Sequence, residues 1–200
     1  MSTSENLKAG LGLIGNSLEG SNPAYIARIQ DAYRSGHFEI WNHGYDHMLN
    51  VTSQPGQYIR EFYGTSYAHQ TEHLLKTQNL AKEKLGITLH AFGAPYDHSD
   101  QNTVRVIDET DDIRVWFFGD PVSSKCVLGR YADIEFPVHN PDYEKFLQDY
   151  DSEKEYLVFE IHPNSWDDPR FEQFEKIIDW LKAADVTFVT PYEYDLLHNP

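Results

Sequence analysis

Residues 36–47 read GHFEIWNHGYDH, and this stretch guides the interpretation of the whole sequence. Its first part, residues 38–41 (FEIW), is a short apolar run that predicts a buried strand. His43 and His47 follow it at a spacing of four. If the chain turns helical after Trp41, their Cβ atoms lie roughly 5–6 Å apart on one face. Neutral imidazoles at that spacing can chelate a divalent metal, whereas an isolated HxxxH pattern is more often a pair of solvated loop histidines.

Apolar runs and helical segments alternate along the rest of the chain. The predicted strands are residues 8–14, 38–41, 87–94, 113–118, 156–161 and 186–190, and the predicted helices are residues 22–35, 67–85, 102–109, 141–151 and 169–184. A polar loop runs through Pro55 and Gly56, residues 127–136 are ambiguous, and a turn follows Pro191. Continuous apolar strands separated by helices indicate a parallel sheet covered by helices. Because the sequence has no repeat, low-complexity tract or linker, residues 1–200 are predicted to form a single domain.

Composition excludes several classes of protein. Lysine and arginine number 16 and aspartate and glutamate 32, giving a formal charge of −16. This excess argues against nucleic acid and anionic membranes as partners. The single cysteine, Cys126, rules out an intrachain disulfide and a cysteine-rich zinc site. No apolar run approaches the roughly 20 residues that span a bilayer, and residues 1–6 do not read as a signal peptide, so the default expectation is a cytoplasmic protein.

Polar side chains follow several predicted strands. In folds of this kind, functional residues lie at the carboxyl ends of the strands. His162 closes the run YLVFEI and suits a general acid or base, or else caps the strand. Asp120 ends a neighbouring strand, where it either orients the His162 imidazole or begins a turn with Pro121. Pro95 and Tyr96 either present a backbone N–H and a ring to a sugar or form only a rigid exit turn.

Two other patterns imitate known motifs and are rejected. Residues 69–73 (HQTEH) match a metalloprotease signature, but both histidines fall roughly 160° from the apolar stripe of their helix. They are therefore expected to point to solvent, with Glu72 paired to Lys76. Residues 10–15 (GLGLIG) have the glycine spacing of a dinucleotide-binding loop, yet the glycines lie within the predicted strand instead of after it.

In their order along the chain, these segments resemble the NodB-type polysaccharide deacetylases, carbohydrate esterase family 4. Residues 36–47 resemble the family's second motif, in which a strand leads into an H-x-x-x-H metal pair. Residues 91–96 (AFGAPY) resemble its R-x-P-Y segment, and residues 115–120 (VWFFGD) occupy the place of its fourth motif. Ile161 and His162 resemble its last motif, L-x-H. The resemblance covers about residues 8–193.

The resemblance implies a distorted, usually seven-stranded (β/α) barrel that removes acetyl groups from N- or O-acetylated sugars. Such enzymes use one divalent metal held by Asp-His-His, an aspartate base and a histidine acid. Zinc is the expected metal, with cobalt or nickel as alternatives, and the partner is an acetylated oligo- or polysaccharide. Carried over by position, the metal ligands are His43 and His47, the general acid is His162 with Asp120 as its orienting residue, and the oxyanion and substrate contacts are Pro95 and Tyr96.

The sequence departs from the family pattern in two places. The family's first motif, T-F-D-D-G, supplies the base and the aspartate ligand, and nothing before Lys8 matches it. The expected fold is therefore an α/β distorted barrel without its first strand, with an incomplete active site and two open sheet edges that a second copy of the chain would cover. Gly93 replaces the motif-three arginine. The third ligand is left open among Asp46, Asp97, Asp120 and another chain.

Three hypotheses follow. The first is a metal-dependent hydrolase that deacetylates a carbohydrate. The second is a catalytically impaired relative that serves as a carbohydrate-binding or assembly module. The third and weaker one is a barrel hydrolase of glycosidic bonds, which needs two carboxylates at a defined separation. The available acids include Glu39, Asp97, Asp120 and Glu160, but their spacing in sequence selects no pair.

Overall fold

The computed structural model describes residues 7–20, 22–51, 58–130 and 133–199. These residues fall into two compact units, Met1–Leu128 with Phe188–Pro200, and Gly129–Thr187. The single domain over residues 1–200 stays a prediction, and the predicted loop at Pro55 and Gly56 lies outside the described residues. Within the described part of the chain, no helix has the combined length and hydropathy that crossing a membrane requires.

A parallel sheet organises the first unit, as the sequence predicts. Its five strands are β1 Ala9–Leu13, β2 Phe38–Asn42, β5 Ala91–Gly93, β6 Val115–Phe117 and β7 Cys126–Leu128, the last of which overlaps the segment left ambiguous. Their spatial order is β1-β2-β5-β6-β7, and every neighbouring pair is parallel. A separate antiparallel pair consists of β3 Leu49–Val51 and β4 Tyr58–Arg60.

Three helices of the first unit begin and end within a few residues of their predicted bounds: α1 Pro23–Arg34, α2 Tyr67–Leu80 and α3 Gln101–Asp108. A further helix of this unit, α6 Pro191–His198, was not predicted. Asn22 and Ser66 accept backbone N–H groups at the starts of α1 and α2. A wide helical turn, Ala81–Leu85, prolongs α2 as far as Gly86, whose φ of +74° is the left-handed conformation in which glycine ends a helix.

The second unit contains α4 Tyr143–Asp149 and α5 Asp168–Ala183, close to the predicted helices. Phe146 is fully buried on α4, and its ring contacts those of Phe159 and Trp180 at centroid distances of 5.9 and 5.5 Å. Ile177 and Leu181 are buried on α5. Aromatic and aliphatic packing between the two helices therefore forms the core of this unit.

Several predicted elements differ from the structure. Residues 156–161 and 186–190 form no strand, although both were predicted as strands. A strand needs a partner for its backbone N–H and C=O groups, and an apolar run does not specify one. In the other direction, the β3–β4 hairpin lies in the segment predicted as a polar loop, and helix α6 replaces the predicted terminal turn.

Trp41 on β2 packs against three glycines, which accounts for the glycine-rich sequence of β1. A Cβ atom built on Gly10, Gly12 or Gly93 would lie 2.8–2.9 Å from atoms of the Trp41 ring. Real side chains do not approach that closely, so the indole occupies space that a side chain on β1 or β5 would need. Gly10 and Gly12 thus make room for the Trp41 ring. Both lie inside β1, as predicted, which agrees with the conclusion that they do not form a dinucleotide-binding loop.

Replacement of Gly12 by alanine tests this packing. We expect Gly12→Ala to lower the free energy of unfolding by about 1–3 kcal/mol, because the rigid indole must shift to admit the methyl group. Gly20→Ala is the matched control, since a Cβ there has no atom within 4 Å. Urea unfolding followed by tryptophan fluorescence measures both variants, and equal stability of the two would contradict the packing argument.

Glu39 is a buried carboxyl group on β2. Burial raises its pKa from 4.5 to about 7, although an N–H bond from Tyr192 to Oε2, at 2.8 Å, opposes the shift. Its Oε1 is buried and has no hydrogen-bond partner in the described part of the chain. A carboxyl group whose pKa is raised on folding binds a proton more tightly in the folded state. The contribution of Glu39 to stability therefore falls as the pH rises from about 4.5 through 7.

We expect Glu39→Gln to remove this dependence. Because a tenfold change in proton affinity corresponds to about 1.4 kcal/mol, the variant should gain up to about 3 kcal/mol over the wild type at pH 8 and little at pH 4. Urea unfolding across this pH range gives the difference, with the exposed Glu72→Gln as control. A constant difference between wild type and Glu39→Gln would show that Glu39 does not titrate in this range.

Candidate functional site

The histidine loop, residues 43–47, leaves the carboxyl end of β2 and is tied to the end of β1. The backbone N–H of His43 donates to the carbonyl of Leu13 at 3.0 Å. The carbonyls of Gly44 and Tyr45 accept N–H groups from Gly15 and Asn16 at 2.9 and 2.8 Å. Hydrogen bonds thus fix the histidine loop to the carboxyl end of β1, at the end of the sheet where the sequence predicts polar groups.

The imidazole of His43 has a defined tautomer. Its Nδ1 lies 2.9 Å from the carbonyl oxygen of Gly93 at the end of β5. A carbonyl only accepts hydrogen bonds, so Nδ1 carries the proton and the neutral ring keeps its lone pair on Nε2. Histidines that bind metals commonly donate their other ring N–H to a backbone carbonyl in this way.

His43 and His47 turn their rings toward one another. Their ring centroids are 5.1 Å apart and their planes are inclined at 60°. Zinc lies about 2.1 Å from each ligating nitrogen, which places the ring centroids roughly 3.2 Å from the metal and, at a tetrahedral angle, about 5.2 Å from each other. The centroid distance of the two rings is therefore compatible with a shared zinc ion, and it is equally that of an edge-to-face ring contact.

His47 and two further residues, Tyr96 and Asp97, have left-handed backbone conformations that residues other than glycine rarely adopt. The φ angles are +55° at His47, +61° at Tyr96 and +53° at Asp97. The Tyr96 ring packs on the His47 ring at a centroid distance of 4.4 Å, and its hydroxyl donates to the His47 carbonyl at 3.3 Å. Backbone strain of this kind concentrates at functional sites. Tyr96 also exposes 39% of its surface beside His47, while Pro95 before it is buried.

A buried carboxylate, Glu61, lies against the histidine loop. Its Oε2 accepts the N–H of His47 at 2.8 Å, and its Oε1 accepts the N–H of Tyr45 and the Nδ1–H of His73, the latter at 2.9 Å. Burial raises the pKa of Glu61, an effect that the hydrogen bonds from Tyr45 and His73 oppose. Nothing in the sequence pattern singled out this glutamate, since it lies 14 residues beyond His47.

The expectation that His69 and His73 point to solvent is wrong. The side chain of His73 is only 12% exposed because Glu61 covers it, and Nε2 of His69 is buried with no hydrogen-bond partner in the described part of the chain. The helical periodicity of the sequence predicted the apolar face of α2, but it gave no sign of the buried Glu61 carboxylate on the other side of that helix. Lys76 pairs with Glu19 at 3.0 Å, which replaces the predicted pair with Glu72.

In the second unit, His162 is bound to a carboxylate that the sequence analysis missed. Its Nδ1 lies 2.8 Å from Oε2 of Glu135, so Nδ1 carries a proton, and its Nε2 lies 3.6 Å from Oε1 of Glu160. Burial alone would raise the pKa of Glu135. The N–H groups of His139 and His162, the imidazole of His162 and the indole of Trp166 lower it below its usual value, which keeps Glu135 ionised.

Comparison with known proteins was informative only at the level of structure. No protein-family model and no curated protein sequence matches this chain. A family 4 acetyl xylan esterase from Clostridium thermocellum, in complex with a cobalt ion, has a TM-score of 0.67 and 18% identity, over 96% of this chain and 79% of that one. The Xyl-CE4 domain of a multidomain xylanase from the hindgut metagenome of Trinervitermes trinervoides has a TM-score of 0.65 and 18% identity, over 96% and 78%.

The fold is that of the family 4 carbohydrate esterases. A family 4 pseudoenzyme from Bacillus anthracis has the same fold, with a TM-score of 0.60 and 14% identity, over 91% of this chain and 53% of that one. The α/β class expected from the sequence is thereby confirmed. The absence of the family's first motif concerns sequence before β1 and stays a prediction.

Gly93 lies where the resemblance to family 4 would place an arginine, and the structure shows that a side chain does not fit at this position. The Trp41 ring fills the space in which a Cβ at this position would lie, at 2.9 Å. The backbone of the same residue provides the carbonyl that binds His43. An arginine at position 93 is therefore incompatible with the place of Trp41, while the contact to His43 needs no side chain.

Two groups of three side chains have ligand atoms within 4.8 Å of one another: Asp46, Glu61 and His73 in the first unit, and Glu135, His139 and His162 in the second. Neither includes His43 or His47. The roles of His43 and His47 as metal ligands therefore stay predictions, as does the identity of the third ligand.

Asp120 has the contacts of a turn residue. Its Oδ1 accepts the N–H of Val122 at 3.0 Å, and its carbonyl accepts the N–H of Ser123 at 3.0 Å. Gln101 donates to its Oδ2 at 3.4 Å. These contacts agree with the alternative that the Asp120-Pro121 dipeptide begins a turn. Its role in orienting His162 stays a prediction, and Glu135 holds Nδ1 of that ring.

We expect His43 to be the Nδ1–H tautomer in the metal-free protein. Long-range 1H–15N NMR spectra at pH 8 report which ring nitrogen lacks a proton, and the Nε2 signal should have the shift of an unprotonated nitrogen. His162 serves as the internal reference, since its Nδ1 faces a carboxylate. A lone pair on Nδ1 of His43 would contradict the hydrogen bond to Gly93.

Proposed function

We propose that this chain is a metal-dependent hydrolase that removes acetyl groups from an acetylated carbohydrate. The observation that carries the proposal is the His43–His47 pair. The distance between its ring centroids is compatible with one zinc ion, and the lone pair of His43 is fixed on Nε2. The pair lies at the carboxyl ends of the strands, in a sheet with the family 4 fold. The related structures include an acetyl xylan esterase bound to cobalt and a deacetylase with its substrate.

In this proposal the chain's residues bind the metal and handle one proton. His43 and His47 hold the cation, with zinc expected and cobalt or nickel as alternatives. A divalent metal held by these two residues would supply Lewis-acid chemistry, lowering the pKa of a water molecule and polarising the acetyl carbonyl. Pro95 and Tyr96 contact the substrate, and the exposed Tyr96 ring suits stacking on a sugar. The family resemblance assigns the role of proton donor to His162 of the second unit, and Nε2 is its candidate donor atom because Glu135 occupies Nδ1.

Zinc binding and acetate release test the proposal. We expect the purified protein to bind one equivalent of zinc and to release acetate from acetylated xylo-oligosaccharides or chito-oligosaccharides. His43→Ala and His47→Ala should each weaken zinc binding by roughly 100-fold or more, since even residues behind a ligand contribute 10–100-fold. His162→Asn should retain zinc and lose acetate release.

The control for these variants is His198→Ala, which removes a histidine from α6. Chelator competition measures zinc affinity, and an enzymatic assay measures acetate. A folded wild-type protein with neither zinc binding nor acetate release would refute the proposal. Appearance of reducing ends without acetate would favour the glycosidic hydrolase.

A second candidate, a carbohydrate-binding module without catalysis, has its own supporting observation. Neither three-residue group of closely spaced ligand atoms includes His43 or His47, and one protein of this fold is a pseudoenzyme, a mutant of which has restored enzymatic activity. A binding module should retain oligosaccharide affinity in the presence of a chelator and in His43→Ala. Loss of sugar binding in either case would exclude it.

A further inference from the structure

Glu61 directly follows β4, and the β3–β4 hairpin carries it to the histidine loop. Its backbone N–H donates to the carbonyl of Met48, one residue after His47, at 3.2 Å. The side chain is fully buried, with 0% of it exposed. A carboxylate in that position is costly unless several donors satisfy it. The hydrogen-bond donors that surround the Glu61 carboxylate therefore indicate its role.

Two of these donors are backbone amides of the histidine loop. The N–H groups of Tyr45 and His47 bind different oxygens of the carboxylate, so the loop curls around it. The closeness of the approach is visible at Gly44, where a Cβ would lie 2.5 Å from Oε2 and φ is +75°. Only glycine fits there, and the loop sequence is matched to the carboxylate it surrounds.

These contacts bear on the direction of the His47 ring. The residue has a φ of +55°, a conformation that a histidine does not retain without compensation. Hydrogen bonds from amides to a buried carboxylate are among the stronger ones in proteins, and here one is made by His47 itself. In that conformation the ring lies 5.1 Å from the ring of His43. By accepting the hydrogen bond from the His47 amide, Glu61 thus influences the arrangement of the His43–His47 pair, although it is not a member of that pair.

His73 on α2 holds the carboxylate from the other side. Its Nδ1 lies 2.9 Å from Oε1 of Glu61, and its ring packs edge-on against Tyr45 at a centroid distance of 5.2 Å. The histidine loop, Glu61 and α2 therefore form one hydrogen-bonded chain. This contact also explains why His73 is buried instead of facing solvent.

We propose that Glu61 is the positioning residue of the His43–His47 pair, and that its buried carboxylate, held by His73, sets the loop geometry in which the two imidazoles share a cation. The metal part rests on the proposed function. The geometric part does not, because the hydrogen bonds to Tyr45 and His47 exist without a metal.

Glu61→Gln is the principal test. The amide keeps the shape of the side chain but presents an NH2 group to one of the backbone donors, so one loop hydrogen bond is lost. In metal-free protein, we expect at least one of the Tyr45 and His47 amides to exchange hydrogen at least tenfold faster than in the wild type. Zinc affinity, measured by chelator competition, should fall roughly tenfold or more, as for other residues that orient ligands.

The matched control is Glu39→Gln, which makes the same exchange at a buried carboxyl group of β2 that binds the Tyr192 amide. It should leave the Tyr45 and His47 amides and the zinc affinity unchanged. Wild-type exchange rates at both amides in Glu61→Gln would overturn the proposal. If the wild-type protein binds no zinc, the proposed function fails, while the exchange measurement still decides the role of Glu61.

Variants at His73 keep the test independent of how well Glu61→Gln folds. His73→Asn retains a side-chain N–H near the position of Nδ1, whereas His73→Leu removes the donor. We expect faster exchange at Tyr45 and His47 and weaker zinc binding in the leucine variant, with substantial recovery in the asparagine variant. Identical behaviour of both variants and the wild type would contradict the role of the Glu61–His73 contact.

Discussion

The packing of Trp41 against Gly10, Gly12 and Gly93 is the constraint on which the first unit depends. One indole on β2 requires that both neighbouring strands lack side chains where it lies. Its ring also contacts those of His43 and Phe117, at centroid distances of 5.0 and 5.1 Å. The spacing of three strands and the start of the histidine loop are therefore set together, and a change at any of these glycines acts on the loop as well as on the sheet.

Much of the first unit could be predicted because its signals are local. Asn22 with Pro23, and Gly86 after a helical stretch, mark helix ends by the conformations those residues favour. Residues 156–161 show the opposite case, since hydrophobicity indicates burial but not the partner strand that an extended segment needs. The β3–β4 hairpin was missed because its strands are only three residues long and polar in part.

The candidate site was predictable only in part. A spacing of four brings two histidines together on a helix, but residues 43–47 form a loop, so the 5.1 Å between the ring centroids of His43 and His47 follows from the loop and not from the spacing. Glu61 and Glu135 could not be found in this way, because each reaches its histidine from a distant part of the sequence. A chain with 32 acidic residues offers no pattern that marks two of them. The pairing of a buried carboxylate with an imidazole is a property of the fold, and only the structure reveals it.

The hydrogen bond from His43 to the carbonyl of Gly93 has a consequence for how such a site changes during evolution. Every residue type carries the same carbonyl, so mutation at position 93 leaves the acceptor in the chain, although a side chain there displaces Trp41, whose ring contacts His43. The identity of the acceptor is thus protected from substitution, whereas its placement is not. The orientation of His162 lacks this protection, because a single nucleotide change in the codon for Glu135 can remove its partner.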